Sequence, residues 1–372
     1  MICFLRCATV NDDIRLKKYI QACESREINF FALTWDRLRK NDCESYEIQY
    51  NRYSAYGKRW RNLFNKLSWQ FYLLRHLIRY RKKYNVIHAC NFDTIFPALI
   101  IKFFYNKKVI YDVYDSFSSD LAVNILGRFI RFIDKYFIGK SDTLILADKK
   151  RTQQMNIDDS VYNLFLDIEN VPNYSSKSLS KSSINFTNIN LSYVGVFDKM
   201  RGLEELMQFI EKNDGFVLKI AGNGTLINLV EEYASKCPRI IYYGVVKYED
   251  GLKIMQDSDF IIGMYYKTVS NHIYAAPNKF FEALFLAKPL ITTKGTLVGN
   301  KIEKYMTGYT IDEGEDEIAN FFCTLLDNKQ NSEKQYQIII RNASELWNNN
   351  YADYFEKKLK TEYIDMVIAL NE

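Results

Sequence analysis

Short apolar runs recur along the whole chain and are separated by longer stretches in which apolar residues follow a helical spacing. The runs predict buried β-strands, and the stretches between them predict helices. In the first half, strands are predicted at residues 1–5, 28–33, 85–89, 108–111 and 143–147. In the second half, they are predicted at residues 191–196, 217–221, 240–243, 260–264 and 290–292.

Strands that alternate with helices predict a parallel, doubly wound sheet. The alternation occurs twice, and a serine-rich polar stretch without apolar periodicity lies between the two series. We therefore expect two Rossmann-like α/β domains, joined by a linker at residues 174–189. Ligands of such sheets bind at the carboxyl ends of the strands, so the residues that follow each strand are the candidates for function.

Composition supports a globular protein in a reducing compartment. The chain has 372 residues, of which 48% are hydrophobic and 15% aromatic. Its seven cysteines are scattered singly, so they predict buried thiols rather than disulfides or a zinc site. The first ten residues are expected to form a strand rather than a signal peptide, and no apolar run approaches the roughly 20 residues of a membrane span. We expect a cytoplasmic protein.

The net charge of +5 is unevenly distributed. No acidic residue lies between Glu47 and Asp93, whereas residues 52–83 carry many Lys and Arg side chains interleaved with aromatic residues that include Trp60 and Trp69. The helical spacing of apolar residues here predicts a basic amphipathic helix, with one stripe formed by Leu63, Leu67, Phe71, Leu74 and Ile78.

Three interpretations fit this basic region. An anionic membrane surface suits cations next to Trp and Phe, and we expect residues 52–83 to bind one, with Trp60 and Trp69 entering the interface. A helix that buries its apolar stripe and leaves its charges in water is the simpler alternative. Nucleic acid is the least favoured, because no recognised binding motif accompanies the charges.

The segment from Tyr274 to Pro289 carries the clearest candidate chemistry. After a very apolar run, Pro277-Asn278 is expected to open a short helix that carries Lys279 and Glu282. A helix N-terminus attracts phosphate, and a lysine there adds a full positive charge. The Glu282 carboxylate can accept hydrogen bonds from two hydroxyl groups, such as a ribose diol.

Two further loops of the second half contain glycines and cations. Gly195 ends a predicted strand, and Lys199 and Arg201 precede a helix that begins near Gly202. Gly222, Asn223 and Gly224 form a second strand-to-helix turn, but Ile227 stands where a dinucleotide fingerprint needs its third glycine. In the first half, the segments that follow strands are residues 88–93 and 112–115, together with Asp148.

In order and spacing, these loops resemble nucleotide-sugar-dependent glycosyltransferases of the GT-B fold, particularly retaining family 4 (glycosyl transferases group 1). The family's G-R-x-x-x-x-K-G turn falls on Gly195 to Gly202, its G-x-G turn on Gly222 to Gly224, and its P-N-K-x-F-E block on Pro277 to Glu282. The resemblance implies two domains that face a cleft. It assigns residues 1–173 to the acceptor, residues 190–345 to the nucleotide sugar, and residues 346–372 to a helical tail that crosses back.

Three family positions differ in this chain. Val196 replaces an arginine, Tyr274 replaces the first glutamate of a pair, and Tyr114 replaces a histidine. The nucleotide grip is otherwise kept, which implies donor binding by Gly195, Lys199, Arg201, Gly222, Asn223, Gly224, Pro277, Asn278, Lys279 and Glu282.

The chemistry that this resemblance implies needs no metal and no cofactor. Arg201, Lys279 and helix N-termini would stabilise the charge that grows on the leaving phosphate. We expect the single D-x-D sequence, Asp257 to Asp259, to be structural. Asp115, Asp93 and His88 are the candidate catalytic groups for the acceptor, although His88 has the alternative of bonding to backbone and Asp112 that of capping a helix.

The sequence therefore predicts a glycosyltransferase that acts at the inner face of the cell membrane. Its acceptor is expected to be a lipid-linked saccharide in surface polysaccharide biosynthesis. Two alternatives stay open: a nucleotide-sugar epimerase of the same fold, and a catalytically degenerate subunit that supports another transferase.

Overall fold

The computed structural model describes residues 1–54, 59–114, 125–173 and 183–372. The chain divides into two compact units, one formed by Met1–Glu169 with Asp353–Glu372 and the other by Asn170–Ala352. The predicted linker stays a prediction, because its residues 174–182 lie outside the described residues.

The first unit contains a seven-stranded parallel sheet with the order β3-β2-β1-β4-β5-β6-β7. Its strands are β1 (Ile2–Arg6), β2 (Phe30–Asp36), β3 (Glu47–Asn51), β4 (Val86–Cys90), β5 (Lys108–Val113), β6 (Thr143–Leu146) and β7 (Leu164–Asp167). Its helices before the second unit are α1 (Ile14–Ser25), α2 (Arg59–Tyr80), α3 (Phe92–Tyr105), α4 (Ile125–Lys140) and α5 (Arg151–Met155).

The second unit contains a six-stranded parallel sheet with the order β10-β9-β8-β11-β12-β13. Its strands are β8 (Ile189–Phe197), β9 (Phe216–Gly224), β10 (Ile240–Tyr242), β11 (Phe260–Gly263), β12 (Leu290–Thr293) and β13 (Gly308–Ile311). Its helices are α6 (Leu203–Lys212), α7 (Ile227–Lys236), α8 (Tyr248–Gln256), α9 (Ser270–Ile273), α10 (Asn278–Leu286), α11 (Leu297–Tyr305), α12 (Glu315–Asp327) and α13 (Lys329–Asn350).

The α/β prediction with two parallel sheets is confirmed, and all ten predicted strands are present. Three strands were missed: β3, β7 and β13. Each of them lies at the edge of its sheet. An edge strand is covered less completely than a central one, so its sequence lacks the continuous apolar run that reveals a buried strand. The β7 strand, for example, is nowhere fully buried.

Helices α2, α3 and α4 cover one face of the first sheet. The other face is covered by α1 and by the C-terminal segment, which comprises a π-helical stretch (Phe355–Tyr363) and α14 (Ile364–Asn371). None of the helices in the described part of the chain combines the length and the hydrophobicity that a membrane span needs. Five of the seven cysteines are buried, as expected, but Cys43 and Cys323 are exposed.

Helix α2 is oriented differently from the expectation that its aromatic residues face outward together. Trp69 is fully buried and packs against Trp35 and Tyr50, with ring centroids 5.7 Å apart in both cases. Leu73 and Leu77 continue this buried stripe. The prediction that Trp69 enters a membrane interface is therefore wrong. The side chain of Trp60 lies outside the described residues.

A buried polar cluster connects the C-terminal segment to the first sheet. Asp112 at the end of β5 receives two hydrogen bonds from Arg15, at 3.0 and 2.9 Å, and one from the Tyr19 hydroxyl at 2.8 Å. His88 lies 3.4 Å from Asp112 through Nε2 and 2.8 Å from the Tyr363 hydroxyl through Nδ1. Asp112 thus binds α1 side chains and does not act as the helix cap that we considered.

The charge states follow from these surroundings. Burial alone would raise the pKa of Asp112, but the Arg15 charge and the hydrogen bonds from His88 and Arg15 hold it below the usual range. Burial lowers the pKa of His88, so the ring is neutral at pH 7. A neutral ring next to an ionised carboxylate donates from Nε2 to Asp112 and accepts the Tyr363 proton at Nδ1.

The orientation of α2 can be tested on neighbouring residues. Leu73→Ala should lower the free energy of unfolding by about 2–5 kcal/mol, because it leaves a cavity in the core. Phe71→Ala should change it by less than about 0.5 kcal/mol, because Phe71 is exposed. Urea unfolding followed by tryptophan fluorescence measures both. Equal losses in the two variants would show that α2 is rotated about its axis.

The buried ion pair can be tested in the same way. Asp112→Asn should destabilise the protein by about 3–5 kcal/mol, because it leaves the Arg15 charge buried and uncompensated. Because the folded-state pKa is lowered, the advantage of the wild type is complete above about pH 4 and shrinks as the pH falls further. The control is Asp365→Asn, which breaks an exposed pair with Arg26 at 3.4 Å. It should cost at most about 1 kcal/mol, and an equal cost for both variants would contradict the assigned role of Asp112.

Candidate functional site

The carboxyl ends of β8 and β9 come unusually close to each other. Gly195 pairs with Gly222 in the parallel register, and the two residues have φ angles of +143° and +137°. A Cβ atom at Gly222 would lie 1.9 Å from the Gly195 carbonyl oxygen, and one at Gly224 would lie 2.1 Å from that of Phe197. Side chains would therefore separate the strand ends. Glycines are therefore needed for the two narrow turns that follow β8 and β9 at the carboxyl end of the sheet.

The turn after β8 leads into α6. Gly202 caps this helix in the left-handed conformation, with a φ of +68°, and a Cβ there would lie 2.9 Å from the side chain of Met264. The Tyr266 amide donates to the Met200 carbonyl at 3.0 Å, which ties the turn to the segment after β11. Lys199 is exposed on the outside of the turn. The prediction of a helix beginning near Gly202 is confirmed.

Arg201 lies on the inner side of this turn. Its guanidinium carbon is 5.3 Å from the centre of the Tyr265 ring. Its Nε atom is buried and has no hydrogen-bond partner among the residues that the structure describes. A buried guanidinium N–H group without a partner is costly unless a ligand accepts its hydrogen bond.

Helix α10 begins where the sequence predicted. Pro277 is its extended N-terminal cap, so Asn278 and Lys279 lie in the first turn. No side chain in the described part of the chain caps this turn, and the turn contains no acidic residue. The loop before it is held by Asn170, whose amide donates to the Ala276 carbonyl at 2.8 Å. The first turn therefore presents backbone N–H groups and the positive end of the helix dipole.

Lys279 points back over the β8 turn. Its Nζ atom is 4.0 Å from the centre of the Tyr193 ring and would be 3.7 Å from a Cβ atom at Gly195. The glycine thus leaves the amine uncovered on that side. Tyr193 and Tyr265, the rings next to Lys279 and Arg201, were missed by the sequence analysis. Tyr193 lies in the middle of β8, and Tyr265 follows β11 by two residues, so only the position of Tyr265 gave a signal.

The electrostatics of this corner are unusual. Burial first, and then the nearby Arg201 charge, lower the pKa of Lys279 to about 7. Glu282, one turn further along α10, is buried and partly offsets this shift. Lysine normally titrates near 10.4, so the site destabilises its own positive charges until an anion arrives.

The other predicted donor residues lie in the same turns. Asn223 is exposed, and its side chain accepts from the Gly224 amide at 2.8 Å. The second unit therefore brings Gly195, Arg201, Gly222 and Lys279 to the carboxyl end of one sheet, with Glu282 next to them on α10. Two cations and the N-terminus of α10 in one place can bind a diphosphate, and the Glu282 carboxylate can bind hydroxyl groups.

The D-x-D sequence lies at the opposite end of its strand. Asp259 precedes β11, and its carboxylate accepts from the Asn190 amide at 2.8 Å. The Tyr336 hydroxyl donates to the Asp259 carbonyl at 3.1 Å. The first bond joins β8 to the amino end of β11, and the second joins α13 to it. Both support the structural role that we expected for Asp259.

The candidate catalytic residues of the first unit have very different surroundings. His88 lies fully buried in the polar cluster with Asp112 and Tyr363, and it bonds to side chains rather than to backbone. This environment favours a structural role for His88. Asp93 is half-buried in the first turn of α3, and its carbonyl accepts from Gln70 at 2.7 Å. Asp115 lies outside the described residues.

Comparison of the whole chain with known proteins finds likenesses in structure only. No protein-family model matches the sequence, and no curated protein matches it significantly. Sucrose-phosphate synthase from Thermosynechococcus elongatus superposes with a TM-score of 0.71 at 13% identity, covering 99% of this chain and 100% of that chain. Anabaena HepE in complex with UDP and glucose gives a TM-score of 0.68 at 10% identity, with the same coverage.

A structure of another class also matches. A putative UDP-N-acetylglucosamine 2-epimerase from Listeria monocytogenes gives a TM-score of 0.57 at 12% identity, covering 91% of this chain and 90% of that chain. At such low identity these likenesses establish the architecture and leave the reaction open. This chain has the GT-B fold, with one Rossmann-like parallel sheet in each unit.

Proposed function

We propose that this protein is a glycosyltransferase that uses a nucleotide-diphosphate sugar as donor. The observation that carries the proposal is the convergence of Lys279, Arg201 and the N-terminus of α10 at the carboxyl end of the second sheet. The lowered pKa of Lys279 and the unpartnered Nε of Arg201 support an anionic ligand at this place. A structural neighbour, HepE, was solved with UDP and glucose, which fits such a donor.

In this proposal, the acceptor hydroxyl oxygen forms a bond to the anomeric carbon of the donor sugar, and the bond from that carbon to the diphosphate oxygen breaks. Negative charge then grows on the leaving diphosphate, where Lys279, Arg201 and the N–H groups of α10 stabilise it. As the charge grows, it raises the pKa of Lys279 and keeps the amine protonated. Glu282 accepts hydrogen bonds from two hydroxyl groups of the nucleoside. Fixed cations thus take the part that a metal ion plays elsewhere, and we propose that neither a metal nor a cofactor is needed.

We further propose that the acceptor is a lipid-linked saccharide of surface polysaccharide biosynthesis, reached from the cytoplasmic face of a membrane. The support is the acid-free, cation-rich α2, which suits an anionic membrane surface. Asp93 and Asp115 are the candidate bases, since a carboxylate near an acceptor hydroxyl can take its proton.

A nucleotide-sugar epimerase is the second candidate, because a putative enzyme of that class shares the fold. An epimerase would convert the donor sugar without any acceptor, whereas a transferase releases nucleoside diphosphate in proportion to the sugar transferred. A degenerate subunit would bind the donor and catalyse neither reaction. The replacements at Val196, Tyr114 and Tyr274 favour this alternative, because each removes a polar residue of the family. Product analysis with and without an acceptor distinguishes the three.

The proposed donor site is tested by measuring the binding of UDP-, ADP- and GDP-sugars in a thermal-shift screen. Lys279→Ala and Glu282→Ala should each weaken binding of the preferred donor by tens of fold or more, because a hydrogen bond to a charged group is worth roughly 1.5–3 kcal/mol. The matched control is Lys253→Ala on α8, whose exposed amine pairs with Asp250 at 2.9 Å. Donor affinity that is normal in both site variants would refute the assignment.

The pH dependence of donor binding is a second, independent test of the role of Lys279. A bound diphosphate raises the pKa of Lys279 from about 7, so binding takes up a proton at higher pH and donor affinity should fall as the pH rises from about 7 to about 9. Lys279→Arg stays charged throughout and should bind with little dependence on pH. Isothermal titration calorimetry measures both variants. An identical pH profile for the wild type and Lys279→Arg would mean that Lys279 does not titrate at the phosphate.

Metal independence is tested with a chelator. Turnover should persist in EDTA, and Asp257→Asn should be nearly silent, because the D-x-D sequence lies at the amino end of β11, away from the cations of the site. Loss of turnover in EDTA with full recovery on adding Mn²⁺ would overturn this part of the proposal.

A further inference from the structure

The layer formed by α2, α3 and α4 exposes an unusual number of large aromatic side chains. Phe103 is 82% exposed, Phe71 73% and Phe132 70%. Further exposed apolar residues on the same three helices are Phe64, Leu67, Ile78, Phe96, Phe104, Phe129 and Tyr136. Monomeric soluble proteins rarely leave so much contiguous apolar surface in water, and such patches mark interaction sites.

Helix α4 shows that this exposure follows a pattern. At about 100° per residue, Phe129, Phe132 and Tyr136 fall within about 60° of one another around the helix. Asp134 and Ile138 are buried and lie on the opposite side, where Asp134 accepts from the Tyr111 hydroxyl at 2.7 Å. The aromatic stripe therefore points directly away from the sheet.

Helix α2 has the same two-sided construction. Trp69, Leu73 and Leu77 form its buried stripe. Phe71 and Ile78 belong to the exposed stripe on the other side, together with Leu67 and Phe64. This exposed stripe contains three of the residues whose spacing predicted an amphipathic helix.

The stripes belong to one continuous surface. Helix α3 packs between α2 and α4. The exposed rings of Phe96 on α3 and Tyr136 on α4 both contact Phe137, with ring centroids 6.3 Å apart in each case. At the C-terminal end of α3, Phe103 and Phe104 project side by side, with centroids 5.0 Å apart.

The charges around this surface have one sign. Exposed cations flank the stripes at Arg75, Arg79, Arg128, Lys135 and Lys140. Among the described residues of α2, α3 and α4, the only acidic side chains are Asp93, which is half-buried, and Asp134, which is buried. A two-fold contact between copies of this chain would place like charges opposite each other. An anionic lipid surface is complementary both to the cations and to the aromatic rings.

We propose that α2, α3 and α4 together form a membrane-inserting face, with Phe103, Phe129 and Phe132 entering the acyl region of an anionic leaflet and the flanking cations binding lipid phosphates. This inference rests on the membrane part of the proposed function and deepens it. It extends the contact beyond residues 52–83 to α3 and α4, and it replaces Trp69 by outward-facing phenylalanines as the inserting groups.

The experiment is co-sedimentation of the full chain with vesicles of phosphatidylcholine, alone or with about one third phosphatidylglycerol. The triple variant Phe103→Asn, Phe129→Asn and Phe132→Asn should lower the partition coefficient more than about tenfold at low and at high salt. The matched control carries Leu38→Asn, Met306→Asn and Ile338→Asn, three exposed apolar residues elsewhere. It should bind the anionic vesicles as the wild type does.

A second pair of variants tests the charges. Arg128→Gln, Lys135→Gln and Lys140→Gln together should weaken binding to the anionic vesicles more than about tenfold at low salt and little at high salt, because salt screens the attraction. Lys236→Gln, Lys253→Gln and Lys357→Gln remove the same charge from other surfaces and should have little effect.

Wild-type protein that stays in the supernatant with anionic vesicles would overturn the inference, as would equal losses in test and control variants. A dimer in solution that the phenylalanine variant dissociates, without vesicle binding, would identify a second copy as the occupant and would also overturn it. Donor binding by each variant is measured in parallel and should be unchanged. If the wild type binds the donor but not the vesicles, only the membrane face is refuted. If the wild type does not bind any donor, the proposed transferase function is refuted.

Discussion

A parallel β-sheet has to be covered by helices on both faces, and the organisation of this protein follows from that requirement. In the second unit, α-helices that follow the strands cover the sheet. In the first unit, α2, α3 and α4 cover one face, whereas α1 covers the other together with the C-terminal segment. The last 20 residues of the chain thus belong to the unit in which the chain begins.

A buried polar cluster lies on the face of the first sheet that α1 and the C-terminal segment cover. Arg15, Asp112, His88 and Tyr363 come from four different elements and are joined by hydrogen bonds to one another. An ion pair of this kind adds little net stability but is expensive to break. It therefore favours one register between α1, the sheet and the C-terminal segment, and it removes His88 from the residues that can reach a substrate.

The same constraint places the candidate chemistry of the second unit. The carboxyl ends of parallel strands lie together at one end of the sheet. The glycines there allow the backbones of β8 and β9 to turn in close contact with each other. Burial and the repulsion between Lys279 and Arg201 lower the pKa of Lys279, and Glu282 offsets only part of this shift, so an anion that binds here relieves the repulsion. The site is thereby organised for a diphosphate before the ligand arrives, which lowers the cost of binding.

The sequence by itself determined the two parallel sheets, ten of their strands, and the helix that begins at Asn278. These features depend on local patterns, namely apolar runs, glycines in turns and a proline before a helix. Edge strands such as β7 were missed because their partial exposure weakens the same signal.

Only the tertiary structure decided which of the two apolar stripes of α2 faces the core, since a helical period is equally satisfied by Trp69 and Leu73 or by Phe71 and Ile78. It also decided the fate of His88, whose partner Tyr363 lies 275 residues away in the sequence, and the pKa of Lys279, which depends on burial and on an arginine from another loop. Burial and electrostatics are sums over neighbours in space, and local sequence patterns do not contain those neighbours.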